Sequence, residues 1–398
     1  MSLQNTPSSE RLHIGFFGMR NAGKSSVVNA ITNQEISLVS DVLGTTTDPV
    51  KKAMELLPLG PVVIIDTPGL DDLGELGEMR VKRAKDMLSI TDIAVVVIDA
   101  EKGESEEDTA LLNIIKEKKI PFITVYNKAD LVEKTETREN EVYVSAKTGE
   151  NIETLKNMLA KIGEKNKKEK PLVSDLLDTG DLVVLVIPID ESAPKGRLIL
   201  PQQMVIRDIL DHHCMCICTQ VEELSSTLSM LNKKPKLVIT DSQAFGKVSK
   251  ITPDDITLTS FSIIMARYKG DLLSLVKGAK ALESIKDGDK ILIAEGCTHH
   301  RQCNDIGTVK MPLWIENFTN AKPQFSFTSG TGFPENLDEF KLIVHCGGCM
   351  LNEKEMKRRM NEAHNADIPI VNYGVAIAHM NGILKRSLAP FSDVLKLL

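Results

Sequence analysis

The run Gly18-Met19-Arg20-Asn21-Ala22-Gly23-Lys24-Ser25 fits the pattern G-x-x-x-x-G-K-[ST], directly after one apolar strand-like segment and at the start of a helical one. That context predicts a phosphate cradle. Glycines let backbone N–H groups approach an anion, and a helix N-terminus favours negative charge. Gly18, Asn21, Ala22, Gly23, Lys24, Ser25 and Ser26 are therefore candidate nucleotide contacts. Lys24 is expected to neutralise the β- and γ-phosphates during transfer, and the Ser25 hydroxyl to bind Mg2+.

Three further groups follow in order. Asp66-Thr67-Pro68-Gly69 ends a strand-like run at 62–66; Asp66 would hold Mg2+ through water, and the Gly69 N–H would sense the γ-phosphate. Asn127-Lys128-Ala129-Asp130 ends a later run. A carboxylate at Asp130 accepts two N–H bonds from guanine N1 and N2, which adenine does not offer. Ser145-Ala146-Lys147 ends the next run and would back the base. Each is an ordinary strand-ending turn by itself; the four together predict a guanine-nucleotide site that hydrolyses GTP.

Leu43-Gly44-Thr45-Thr46-Thr47-Asp48 resembles the G-T-T-x-D switch I of TrmE–Era–EngA-type GTPases. The resemblance implies Thr46 as a Mg2+ ligand, with Thr45 and Thr47 as alternatives in the same run. Position 70 is Leu, so no glutamine stands there to position water, and hydrolysis must be organised otherwise. In GTPases of that type a P-loop Asn, here Asn21, helps hold a K+ ion in place of an arginine finger, and a carboxylate after Gly69 positions water. Glu78 suits that spacing best and Glu75 second; either is equally read as a solvated helix residue.

The remaining chemistry lies after residue 290. One apolar run leads into Glu295-Gly296-Cys297-Thr298-His299-His300, with Cys303 close behind; another leads into His345-Cys346-Gly347-Gly348-Cys349. The carboxyl ends of paired parallel strands open on one crevice, which would bring Cys297, Cys346 and Cys349 together across about fifty residues of sequence. The central glycines let both thiols of Cys-x-x-Cys face one centre and leave N–H groups free to bond sulfur. A closed Cys/His zinc site is the plainer reading. Three thiolates with a weaker fourth ligand suit a 4Fe–4S cluster. His299, His345, Asp305, Glu295 or water could fill the fourth position, and the two histidines serve equally as donors to the ligands. Cys303 is either a ligand or a spare thiol. Cys214, Cys216 and Cys218 alternate along a strand and project to one face, a poor arrangement for one metal and a good one for packing. Their neighbours His212 and His213 read as structural or exposed.

These groups need a scaffold. Strand signals at Leu12–Phe17, 62–66, Ile93–Asp99, 121–127 and 141–145 alternate with helix-length segments, the pattern of a doubly wound, mostly parallel sheet. The charge run 164–170, followed by Pro171, reads as a linker. Beyond it come a strand at 182–189, an amphipathic helix at 202–210, a strand at 214–219, and strand-like runs at 236–240, 259–265, 290–294, 341–345 and 368–372. The expected fold class is α/β: a P-loop GTPase domain at 1–165, then two smaller α/β domains at 171–265 and 266–398. The almost wholly apolar 182–189 suits a dimer interface or a buried core.

Bulk properties narrow the partners. Asp and Glu number 55 against 48 Lys and Arg, a formal net charge of −7, so nothing supplies the excess of cations that a general nucleic-acid binder needs. No apolar run approaches the ~18–20 residues that span a bilayer, and the N-terminus lacks a signal-peptide pattern. Seven Cys beside a P-loop suggest a reducing cytoplasm.

A TrmE-like GTPase followed by Cys297-Thr298-His299 and, about 45 residues on, by His345-Cys346-Gly347-Gly348-Cys349 closely resembles one family, the FeFe-hydrogenase maturation GTPases known as HydF. The resemblance extends over the whole chain, with Cys303 outside its pattern. It implies GTPase, dimerisation and 4Fe–4S cluster domains in a homodimer or higher homo-oligomer. It also implies a scaffold role: a diiron precursor bearing CO, cyanide and a dithiolate bridge, made with two radical-SAM maturases, is passed to apo FeFe-hydrogenase. GTP hydrolysis would govern partner association, and an open coordination position suits a carrier. The rivals are a TrmE-like tRNA-modification GTPase, opposed by the acidic charge and by a P-loop strand with no room for a folate-type domain before it, and a ribosome-assembly GTPase with a structural zinc module, which would call for a basic surface.

Overall fold

Runs of Val, Ile and Phe make strands that suit a sheet covered on both faces. The computed structural model describes residues 7–33, 50–67, 87–133, 137–166, 170–189, 196, 198–296, 305–330, 332–334 and 336–396. Thr45, Thr46, Thr47, Gly69, Glu75, Glu78, Cys297, His299, His300 and Cys303 lie outside the described residues. The chain divides into two units, Met1–Glu169 and Lys170–Leu398.

In the first unit six strands form one sheet: β1 (Leu12–Phe17), β2 (Val50–Leu56), β3 (Gly60–Asp66), β4 (Ile93–Asp99), β5 (Phe122–Asn127) and β6 (Glu141–Val144), in the order β2-β3-β1-β4-β5-β6. All neighbours are parallel except β2, which runs antiparallel to β3 at the edge. Every residue of β4 is buried, as a central parallel strand demands. The chain passes from β1 to one side of the sheet and returns to β4 on the other, making the carboxyl end of β1 a topological switch point. Sequence reading did not anticipate β2; its sequence VKKAMEL mixes charges with apolar residues because an edge strand is half solvated. The helix Ile152–Asn166 runs into the first residues of the charge run read as a linker, since Glu and Lys are good helix formers.

The second unit holds two four-stranded parallel sheets. The first contains β7 (Leu182–Val186), β8 (Met215–Thr219), β9 (Leu237–Thr240) and β10 (Thr257–Ser260), in the order β10-β9-β7-β8. The second contains β11 (Lys290–Ala294), β12 (Gln324–Thr328), β13 (Leu342–His345) and β14 (Ile370–Asn372), in the order β12-β11-β13-β14. One apolar core is shared by both sheets, reaching from Leu172 to Phe391. β7 is buried throughout and paired on both sides, so its apolar sequence is that of an interior strand. The run 259–265 divides: β10 ends at Ser260, and Phe261–Lys269 is a helix whose first turn is capped by the Ser260 side chain, which accepts from the Ile263 N–H at 3.3 Å. Of the alternating cysteines, Cys214 is buried, Cys216 half-buried against the core and Cys218 exposed, because β8 borders its sheet.

Candidate functional site

The P-loop is shaped by two glycines. Gly18 follows β1 at φ +138°, where a Cβ would lie 2.1 Å from the Val97 carbonyl oxygen; Gly23 has φ +87°, and its Cβ would lie 2.2 Å from Asn127 Nδ2. Only glycine fits either place. Asn21 between them is also left-handed, at φ 63°. Lys24 opens the helix Lys24–Thr32, and its buried ammonium donates to the carbonyls of Gly18 and Met19, both at 2.9 Å. The loop therefore curls around the charge that would meet the phosphates. Ala22 within the loop is buried, and Ser26 is exposed on the helix's first turn.

Ser25 Oγ donates to Asp66 Oδ2 at 3.3 Å across the switch point. The second oxygen, Asp66 Oδ1, is buried without a hydrogen-bond partner. Burial raises the Asp66 pKa, against the pull of Lys24 and the Ser25 hydroxyl. A bare, buried carboxylate oxygen beside a serine hydroxyl fits a hard divalent cation with oxygen ligands, so Ser25 and Asp66 suit Mg2+.

The base side is tied to the phosphate side by Asn127, which is 3% exposed. Its Nδ2 donates to the Ala22 carbonyl at 3.0 Å, and its Oδ1 accepts from the Ala146 N–H at 3.1 Å. Lys128, left-handed at φ 67°, pairs with buried Asp99 at 2.6 Å, and that hydrogen bond raises its pKa. The Ser145 side chain hydrogen-bonds Asp130 and holds its carboxyl below the usual range, with Lys147 adding attraction. Ser145 itself is fully buried, which fixes where the Asp130 carboxylate is held.

In the second unit β11 and β13 are parallel neighbours, with Ala294 opposite His345. The Cys346 N–H donates to the Ala294 carbonyl at 2.9 Å. The Cys346 sulfur accepts from two backbone N–H groups, Gly296 at 3.0 Å and Gly348 at 3.4 Å. Burial raises the Cys349 thiol pKa, and nearby Lys269 opposes the shift. That lysine is 2% exposed and donates to the carbonyls of Cys349 at 3.1 Å and Leu351 at 2.9 Å.

His345 is wholly buried. Arg359 Nη1 lies 3.1 Å from His345 Nε2; a guanidinium only donates, so Nε2 accepts and Nδ1 donates to the Cys346 carbonyl at 2.7 Å. Burial, with Arg359 nearby, lowers its pKa to about 4, so the ring is neutral. Both ring nitrogens are engaged, and in this arrangement His345 supports the loop rather than offering a lone pair. Arg359 in turn meets Glu355 at 2.7 Å and the Gly330 carbonyl at 2.6 Å. Asp305 caps the following helical turn, accepting from the Thr308 N–H and hydroxyl at 2.8 and 2.9 Å. Glu295 accepts from the Tyr373 hydroxyl at 3.3 Å; burial, with Cys346 and Glu295 nearby, pushes the Tyr373 pKa far up. Among the described residues no group of three or more His, Cys, Asp or Glu side chains converges as a metal site. A cysteine sulfur that accepts two backbone N–H bonds at the ends of paired strands does fit an iron–sulfur ligand, whose sulfur such bonds stabilise as thiolate.

Three family models match the chain. One described as a 50S ribosome-binding GTPase covers residues 13–128, the hydrogen maturase F dimerization domain covers 172–270, and the hydrogen maturase F tetramerization domain covers 273–390. The last two belong to a single family and together take in nearly all of the second unit. The chain belongs to the hydrogen maturase F family. It is also 37% identical over 158 residues to the tRNA modification GTPase MnmE of Legionella pneumophila (strain Corby), covering 38% of this chain and 35% of that protein. MnmE of Nitrosomonas europaea is 32% identical over 166 residues, covering 40% and 36%. GTPase Der of Mycoplasmopsis agalactiae is 32% identical over 182 residues, covering 40% and 42%. The chain thus spans well under half the length of these curated relatives.

Sequence reading of this maturase-family chain missed Asp99, Lys269, Arg359 and Tyr373. Asp99 alone left a signal, an acidic residue ending an apolar strand just as Asp66 does.

Proposed function

We propose that this chain is a GTP-hydrolysing scaffold that carries a 4Fe–4S cluster on Cys297, Cys346 and Cys349 and delivers a diiron precursor to apo FeFe-hydrogenase. The observation that carries the reading is the Cys346 sulfur, held by the N–H groups of Gly296 and Gly348 where two parallel strands end. Gly296 directly precedes Cys297 in the chain.

In the GTPase domain, Lys24 and the P-loop N–H groups bind the phosphates of the substrate GTP. Ser25 and Thr46 hold Mg2+, Asp66 holds it through water, and Gly69 stands at the γ-phosphate. Asp130 reads guanine, while Asn127, Lys128, Ser145, Ala146 and Lys147 frame the base. Asn21 helps hold K+, and Glu78 positions water. Turnover equal in K+ and Na+ would remove the first of these last two roles; unchanged turnover in Glu78→Ala would remove the second.

When bound, the cluster supplies an iron with an exchangeable position for a bridging ligand. Cys297, Cys346 and Cys349 ligate it, with His299 as fourth ligand or donor; Gly296 and Gly348 stabilise the Cys346 thiolate, and His345 with Arg359 stiffens the turn behind it. The domains are 1–165, 171–265 and 266–398. The partners are apo-hydrogenase, two radical-SAM maturases and further copies of this chain, in a reducing cytoplasm.

The test is Cys346→Ser in anaerobically purified protein. Iron bound by the wild type should be lost from the variant while GTP turnover persists. Stoichiometric zinc with no iron in the wild type would instead point to a structural zinc module.

A further inference from the structure

Each sheet of the second unit has one covered edge and one open edge. β10 is buried along most of its length, and the helix Leu384–Ser387 packs against it. β14 is wholly buried; the helix Leu272–Ala279 lies so close that a Cβ on Gly278 would stand 2.0 Å from the Ile370 carbonyl oxygen. The opposite edges differ. β8 and β12 each expose residues along the strand, and among the described residues each pairs with one neighbour only, β7 and β11. β8 falls within the dimerization match and β12 within the tetramerization match.

β12 lacks the charged side chains that ordinarily blunt an exposed edge: residues 323–334 carry no charge, and Phe327 is 38% exposed. Its backbone is half engaged. The Gln324 N–H donates to the Asp289 carbonyl at 2.8 Å, and the Thr328 carbonyl accepts from the Glu295 N–H at 2.9 Å, so residues 324, 326 and 328 turn their backbone groups towards β11. The N–H and C=O groups of Phe325 and Phe327 therefore face outward, and among the described residues no hydrogen bond meets them.

An identical edge supplies the matching groups. Two copies of β12 set antiparallel about a two-fold axis at Ser326 place Phe325 of each copy opposite Phe327 of the other, and each such pair exchanges two backbone hydrogen bonds. Gln324 then faces Thr328 and Ser326 faces its own counterpart, so no like charges meet.

We propose that the β12 edge docks a second copy of this chain, joining two sheets edge to edge through the backbones of Phe325 and Phe327, and that this contact turns dimers into tetramers. It rests on the reading above that the partners include further copies of this chain.

The test compares full-length wild type with Phe327→Tyr, Phe327→Lys and Phe327→Pro by analytical ultracentrifugation, with GTP turnover measured alongside. Lysine puts a charge in the seam, and proline removes an outward N–H without touching the ladder to β11. Wild type and Phe327→Tyr should sediment as tetramers; Phe327→Lys and Phe327→Pro should stop at dimers with turnover unchanged. Where a variant fails to fold, hydrogen exchange in the wild type decides: the Phe325 and Phe327 amides should exchange several-fold more slowly in the tetramer than after dilution to dimers. Tetramers in both disrupted variants, exchange that ignores dilution, or a wild type that stops at dimers would overturn the edge assignment alone; a wild type that stays monomeric at every concentration would overturn the homo-oligomer reading beneath it.

Discussion

In the proposed base site one side chain, Asp130, sets specificity: its carboxyl, whose pKa the Ser145 hydrogen bond lowers, is the group assigned to guanine's two N–H groups. Asp130→Asn should weaken GTP binding roughly 10- to 100-fold, the size of two lost charge-assisted bonds, and recover affinity for xanthosine triphosphate, whose 2-oxo group accepts from the new amide. A competition assay giving unchanged GTP affinity would remove Asp130 from the base site. The pH dependence has a definite sign. A carboxyl with a lowered pKa keeps its binding role above that pKa and loses it as pH falls through it; without the Ser145 hydroxyl the pKa rises. Ser145→Ala should therefore move the acid loss of GDP binding to higher pH, and identical acid limbs for the two proteins would contradict the assignment. Asp66, Asn127 and Ser145 were legible in the sequence because each sits where an apolar run stops, and Lys24 because it completes the glycine-lysine-serine pattern. Lys269 was not, because its partner Cys349 lies 80 residues away and only the folded chain brings them together; Asp99 ends an apolar run too, but its pairing with Lys128, 29 residues on, shows only in the folded chain.

Among the elements, fully buried parallel strands such as β4 and β7 were legible because burial on both faces leaves uninterrupted apolar runs. β2 and β12 were not, since both mix exposed polar positions with apolar ones at a sheet edge. The run 259–265 failed for another reason: FSIIMA is apolar enough for a buried strand or a buried helix, and periodicity does not separate the two. The cap decides it. Ser260 is fully buried and accepts from the Ile263 N–H, so Ser260→Ala orphans a helix donor. It should lower the stability of the second unit by about 1 kcal/mol. Urea unfolding followed in that unit reads the change, and an unshifted midpoint would show that the cap contributes nothing.

At the scale of the whole molecule, two kinds of chemistry share one chain. The first unit presents a preformed cradle, with a bare Asp66 oxygen where a divalent cation fits. The second gathers two parallel sheets over a common core and ends β13, the neighbour of β11, in the thiol-bearing turn Cys346–Cys349. The two family-specific matches fall wholly on this second unit, whose α/β pattern was legible but whose oligomer-forming role was implied only by the family resemblance. The central claim is that Cys297, Cys346 and Cys349 serve one iron–sulfur centre. The most direct test is low-temperature EPR of the reduced, iron-reconstituted protein beside Cys297→Ser, Cys346→Ser and Cys349→Ser. The wild type should give a cubane signal with about four iron per chain, lost in each single variant while GTP turnover persists; a signal and iron content left intact by any one of the three substitutions would contradict the claim.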